Sequence, residues 1–177
     1  MVEGFFICTE LMEENTWKVV YIASRQEKKV AKQLERDGIE YYLPLQKRLQ
    51  QWSDRKKWVE FPLFNGYLFV RPDSFQRDKV LELNGVVAYV RYNGPDAIVR
   101  DEEIEIIQRL LQSGYALESQ HSPEDFEKGE TVMVIDGPLK GQSGEIIRRN
   151  DQEMFLIGFE TLGQSIKVEL PFQVLKK

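Results

Sequence analysis

The spacing of apolar positions changes several times along this 177-residue chain, and each change marks an element. Residues 17–23, "WKVVYIA", form a nearly continuous apolar run, which predicts a strand buried on at least one face. "SRQE" follows at once and fits a capping box, in which Ser24 accepts from the Glu27 amide while the Glu27 side chain reaches back. A helix is then expected to about Asp37, with Gly38 supplying the left-handed stop. At the helical angle per residue, Arg25, Lys29, Lys32 and Arg36 cluster on one side, and Val30, Ala31 and Leu34 lie nearly opposite. One face packs and the other offers cations.

Two strand-like runs, "IEYYLPLQKRLQQW" and "KKWVEFPLF", are separated by "SDR" and predict a long hairpin. Lys47, Arg48, Arg55, Lys56 and Lys57 fall near its tip, with Trp52 and Trp58 beside them. In "GYLFVR", alternation puts Tyr67 and Phe69 on one face and Leu68 and Val70 on the other, so both faces need a cover. "PDSFQRDKVLELNG" predicts a second helix, capped by Asp73 or Ser74 and ended by Gly85, and "VVAYVRY" a strand after it. Asp101 is placed to cap a third helix, whose Ile104, Ile107, Leu110 and Leu111 form an apolar stripe. This order predicts an α+β domain, an antiparallel-rich sheet with helices, closing near Gly114.

"ALESQHSPED" has no period and reads as a linker. From Phe126 onward, short apolar runs recur roughly every ten residues with glycines between them, the pattern of a small all-β barrel. The expected organisation is an N-terminal extension at 1–16, a first domain at 17–115, a linker at 116–124 and a barrel at 125–177.

Composition narrows the chemistry. One cysteine, Cys8, excludes an internal disulfide, and one histidine, His121, leaves too few ligands for a Cys/His zinc site and too few partners for a nucleophilic triad. The expectation is no enzyme activity and no cofactor, although chemistry built on a pair of carboxylates stays open. No run approaches the length of a membrane span, and the first sixteen residues carry four glutamates and no basic region, so a cytoplasmic protein without an export signal is expected. The net charge of −5 hides a basic region: residues 17–91 hold 15 lysines and arginines against 9 acidic residues. That is where nucleic acid would be met.

In "VMVIDGPLKGQSGEII", Gly137 and Pro138 make a sharp turn, Gly141 relieves a crowded loop, and Gly144 opens a strand where the backbone approaches a neighbour. The arrangement resembles the KOW motif, found in NusG-type factors and in certain ribosomal proteins, and by itself leaves both, and any other small SH3-like barrel, open. The first half separates them. "WKVVYIASRQEKKVAKQLERDGIEYYLPL", "PLFNGYLFVR" and "NGVVAYVRYNGPDAIVRDEEIEII" resemble the NusG N-terminal (NGN) domain in order and spacing. The resemblance runs from Trp17 to Lys177. It implies a ferredoxin/RNP-like NGN domain followed by an SH3-like KOW barrel.

It also implies a transcription elongation factor that lays an apolar depression on the clamp helices of the largest RNA polymerase subunit. Trp17, Tyr21, Phe64, Gly66, Tyr67 and Phe69 are the matching candidates for that depression or its supports. Arg25, Lys29, Lys32, Lys47, Arg48, Arg55, Lys56 and Lys57 are the candidates for contact with DNA of the transcription bubble. Rho or a ribosomal protein is the partner implied for the KOW domain.

Three positions depart from the family pattern. Asn65 stands where the signature has proline, and Leu162 and Gln164 flank Gly163 where housekeeping members carry an aromatic residue and an arginine. These departures resemble the specialised RfaH-like paralogues that act as antiterminators on long surface-polysaccharide operons. A housekeeping NusG and a ribosome-associated RNA-binding KOW protein are the alternatives, the second disfavoured by 7 basic against 10 acidic residues in 124–177.

Overall fold

The computed structural model describes residues 15–52, 55–115, 117–121, 131–149, 152–159, 164–168 and 175–176. The chain packs as two compact units, one drawn from Met1–Leu43 and Phe64–Asp101 and the other from Pro44–Leu63 and Glu102–Lys177. Each contains an antiparallel sheet, and three helices stand among the described residues. This is the expected α+β architecture.

In the first unit, β1 (Trp17–Ile22) lies at the centre of the sheet. It pairs antiparallel with β5 (Tyr67–Arg71) on one side, and with β6 (Val86–Tyr89) and the short β7 (Ile98–Val99) on the other. Strand β2 (Glu40–Tyr42) forms the far edge beside β5. Helices α1 (Glu27–Arg36) and α2 (Gln76–Glu82) cover one sheet face. Val30, Ala31 and Leu34 of α1 pack with Val20, Ile22, Leu68, Val70, Val80 and Tyr89, so the apolar side of this helix is the one its periodicity indicates. On the other face, Trp17, Val19, Phe64, Phe69 and Val99 are also buried.

Helix ends follow the sequence in three cases and depart from it in one. Gly38 ends α1 at φ +67°, and Gly85 follows α2 at φ +108°, both in the region that penalises a Cβ. At the start of α2, Asp73 Oδ1 accepts from the Gln76 amide at 2.7 Å and Gln76 Oε1 accepts from the Asp73 amide at 3.2 Å, a reciprocal cap. The capping box expected at Ser24–Glu27 is absent. Helix α1 starts at Glu27, no side chain caps it, and Arg25 sits at φ +62° in the turn before it. The Glu27 carboxylate has been drawn away, to the backbone of Gly66.

A second polar cluster ties α2 to the loop after β6. The Arg77 guanidinium donates twice to Asp96, at 3.1 and 2.8 Å, and stacks over the Tyr89 ring at 5.0 Å. Lys18 stands 3.9 Å from the same carboxylate, and the Tyr89 hydroxyl donates to the Arg77 carbonyl. The hydrogen bond to Asp96 pushes the Arg77 pKa up, and burial pushes up that of the Tyr89 phenol.

The single long hairpin expected from the sequence is broken in two. Pro44 separates β2, which joins the first sheet, from β3 (Leu45–Gln51), which pairs only with β4 (Lys56–Pro62). Ser53 and Asp54 of its turn lie outside the described residues. The same unit holds most of α3 (Asp101–Gln112), with Ile104, Ile107 and Leu110 buried along its stripe.

The remaining strands make one sheet in the order β13-β9-β10-β11-β12-β8. They are β9 (Thr131–Val134), β10 (Ser143–Arg149), β11 (Gln152–Phe159), β12 (Gln164–Val168), β13 (Leu175–Lys176) and β8 (Leu117–His121). Strand β8 occupies the stretch read as a linker. Its register against β12 runs from Leu117 opposite Val168 to His121 opposite Gln164. Leu117 is buried, so the only strong apolar residue in that polar stretch is the one that packs.

Candidate functional site

Strand register builds the first candidate surface. Tyr67 on β5, Tyr21 on β1 and Ala88 on β6 are direct cross-strand partners, so the three side chains stand in one row on the sheet face opposite α1 and α2. The register shifts between Tyr21 and Ile22, and the bulge this makes on β6 leaves Val87 unpaired and 58% exposed beside the row. Tyr21 is 47% exposed, Tyr67 is half-buried and Ala88 is exposed. The two tyrosine rings meet edge to face, 5.6 Å between centroids.

The other apolar candidates lie beneath or beside that row. Phe64 and Phe69 are fully buried and stack edge to face at 6.0 Å, with Tyr42 tilted against Phe69 at 6.1 Å. Burial also pushes the Tyr42 phenol up to about 12. Gly66 is buried at φ +79°, where a Cβ would stand 3.2 Å from Tyr21 Cε2. Any larger residue would press on the ring it supports. Trp17 is on the same face at the opposite end of β1, buried, its indole N–H donated to Asp101 at 2.9 Å and its ring covered by the Arg71 guanidinium at 5.7 Å. The accessible rings are therefore the two tyrosines. The sequence gives no sign of Ala88 and Val87, because their place depends on register and on a bulge.

The hairpin builds the second surface. Opposite residues share a face, which puts Lys47, Leu49, Lys56 and Trp58 together and Arg48, Lys57, Val59 and Phe61 on the reverse. Leu49 and Trp58 face each other directly, 50% and 65% exposed, and Trp52 beyond them is exposed as well. Arg48 is turned to the fold: it donates to the Leu117 carbonyl at 3.2 Å, while the Ser119 hydroxyl donates to the Leu63 carbonyl at the hairpin base. The basic residues near the tip thus divide between two faces, and the exposed Trp58 ring stands on the face of Lys47 and Lys56. Arg55 is exposed at the tip, and its carbonyl accepts from the Trp52 amide. On α1, Lys29 and Lys32 are exposed on the solvent side, as is Arg25 ahead of it.

In the barrel turn, Gly137 and Gly141 adopt φ of +86° and +85° around Pro138, and the Gly141 amide donates to the Val134 carbonyl. A Cβ on Gly144 would come within 2.4 Å of the Leu156 carbonyl oxygen and 2.6 Å of the Phe155 ring. Close approach of two strands is what this glycine permits. Among the described residues no cluster of acidic, histidine or cysteine side chains is arranged to hold a metal, and no helix is long and apolar enough to cross a membrane.

The family model described as transcription termination factor NusG matches residues 15–108, and the KOW motif matches residues 128–157. The chain belongs to the NusG family. Similar NusG proteins, each named as a transcription termination/antitermination protein, include that of Bacillus subtilis, 29% identical over 184 residues with 94% of this chain and 99% of that protein covered. The NusG of Pseudomonas aeruginosa is 27% identical over 176 residues, covering 91% and 97%. A solved structure concerned with domain interaction in Thermotoga maritima NusG shares the fold, with a TM-score of 0.58 and 23% identity, covering 93% and 97% of the two chains. This chain is thus a NusG-family transcription termination/antitermination factor, an NGN domain followed by a KOW domain.

Two departures from the NusG pattern can be placed. Asn65 lies in the turn Phe64–Tyr67, in which the Tyr67 amide donates to the Phe64 carbonyl and Gly66 takes the positive φ. The proline-to-asparagine change leaves the turn standing, because Gly66 meets its strictest demand. Gln164 is 3% exposed, and its amide nitrogen has no partner among the described residues. It does not present itself to a partner at the surface. Leu162 and Gly163 lie outside the described residues.

Proposed function

We propose that this chain binds RNA polymerase through the NGN sheet, docking the Tyr67–Tyr21–Ala88 row on the clamp helices of the largest subunit, and so favours processive elongation. The observation that carries this reading is the row itself: the Tyr21 and Tyr67 rings are left accessible beside the fully buried Phe64 and Phe69. Exposed aromatic anchors over a packed base are the usual source of binding energy in such interfaces. In the same reading, the Trp58 face of the hairpin meets unpaired DNA of the bubble, with Lys47 and Lys56 attracting phosphates while the Trp58 ring stacks on a base. Arg25, Lys29 and Lys32 extend that contact, and residues 17–115 and 125–177 act as its two domains.

The departures at Asn65 and Gln164 support a specialised antiterminator serving a few long operons such as those for surface polysaccharides, rather than a factor coupled to Rho or the ribosome. End-to-end similarity to NusG proteins of two bacteria favours the housekeeping role as a second reading. Binding of the full chain to core RNA polymerase, wild type against Tyr21→Ala, tests the docking: a fall of about tenfold or more in affinity is expected, and equal affinities reject it. Mapping the protein along the genome separates the two roles. A handful of loci supports the specialist, and occupancy of every transcribed gene supports the housekeeping factor.

A further inference from the structure

We infer that Glu27 is a positioning residue for the tyrosine row, an inference that rests on the docking role proposed for that row. Glu27 is the first residue of α1, yet its side chain is buried and serves no cap. Its Oε1 accepts the Gly66 amide at 2.9 Å, 39 residues along the chain. The Gly66 carbonyl accepts from the Ile22 amide at 2.7 Å, so both polar groups of this one peptide position are fixed, one by the helix and one by the central strand.

The consequence reaches the surface in one step. Gly66 lies against the Tyr21 ring and directly precedes Tyr67, so the turn that Glu27 holds sets the floor under one ring and the backbone of the other. A buried carboxylate is costly unless bonded, and here it has a backbone donor and the positive end of α1. Position 65 of the turn is Asn, whose φ is not preset as a proline's would be, which leaves more of the restraint to Glu27.

The test uses the full chain and three variants, Glu27→Ala, Glu27→Gln and the double variant Glu27→Ala/Asn65→Pro. Hydrogen exchange at the Gly66 and Tyr67 amides reads the turn in the free protein, and affinity for a coiled-coil fragment of the largest polymerase subunit reads the row. Glu27→Ala should speed exchange at both amides about tenfold, the size expected from losing one hydrogen bond to a charged group, and weaken the fragment by a similar factor. Glu27→Gln keeps an acceptor at that position and should stay within about threefold of wild type. Asn65→Pro should recover most of the lost affinity by presetting the turn, which a general loss of stability would not allow. Wild-type exchange in Glu27→Ala overturns the inference. So does a loss of affinity that neither Glu27→Gln nor Asn65→Pro restores. If Tyr21→Ala binds the fragment normally, the docking role fails instead, and exchange at Gly66 still judges Glu27 by itself.

Discussion

Tyr21 and Trp58 are both large exposed rings, and they stand on different foundations. Tyr21 belongs to a central strand bonded on both sides, with buried Gly66 beneath it and the Phe64–Phe69 pair nearby. Trp58 belongs to a two-stranded hairpin, tied to the fold by Arg48 and, at its base, by Leu63, and shares its face with Lys47, Lys56 and Glu60. A two-stranded ribbon is marginal by itself, whereas a ring on a central strand is held before any partner arrives. The first arrangement suits a partner of fixed shape, since ordering is already complete. The second suits a flexible polyanion, for which charge and stacking matter more than fit.

The largest expected effect breaks the comparison on its first side. Replacing both Tyr21 and Tyr67 by Ala should lower affinity for the polymerase coiled-coil fragment about 100-fold, as two hot-spot rings would, while binding of single-stranded DNA stays unchanged. Calorimetric titration against both ligands checks this. Next in size, Gly144→Ala should destabilise the barrel by about 3 kcal/mol, because a backbone carbonyl and a buried ring occupy the space of the new methyl. Urea unfolding followed by circular dichroism reads it, and the tyrosine row should keep its affinity under native conditions.

The hairpin side is sharpened by separating its faces. The double variant Lys47→Ala/Lys56→Ala, on the Trp58 face, should weaken single-stranded DNA about tenfold in dilute salt and reduce the salt slope by about 1.4. Lys57→Ala, on the reverse face, should do much less. Equal losses from the two faces would remove the assignment of one face to DNA. The smallest effect is on pH. Tyr42 titrates at about 12 when buried against an ordinary 10, so the folded state holds the proton more tightly than the unfolded chain. Its contribution is complete below about 10 and is lost as pH rises toward 12, and Tyr42→Phe should flatten the fall in melting temperature over that interval.

Much of this was legible before the structure. The apolar periods place β1, α1, α2 and the stripe of α3, and Gly38, Gly85 and Gly144 take the roles their spacing suggests. What stayed hidden depends on contacts distant in sequence. Glu27 fits a local capping box, but a long-range bond to Gly66 competes for the same carboxylate. Pro44 splits what reads as one long strand, and β8 forms from polar residues because β12 supplies a sheet edge that no local period reveals. For the candidate site, the list of aromatics was visible. Which of them remain accessible was not, since Tyr21 and Phe69 look alike in an alternating run and differ only in what lies over them.

The central claim is that the Tyr67–Tyr21–Ala88 row is the face that grips the polymerase. Backbone and aromatic NMR shifts of the full chain, recorded while the coiled-coil fragment of the largest subunit is titrated in, test it most directly. The prediction is that the strongest changes fall on Tyr67, Tyr21, Val87 and Ala88, with the barrel unmoved. Saturable binding whose changes miss that row would contradict it.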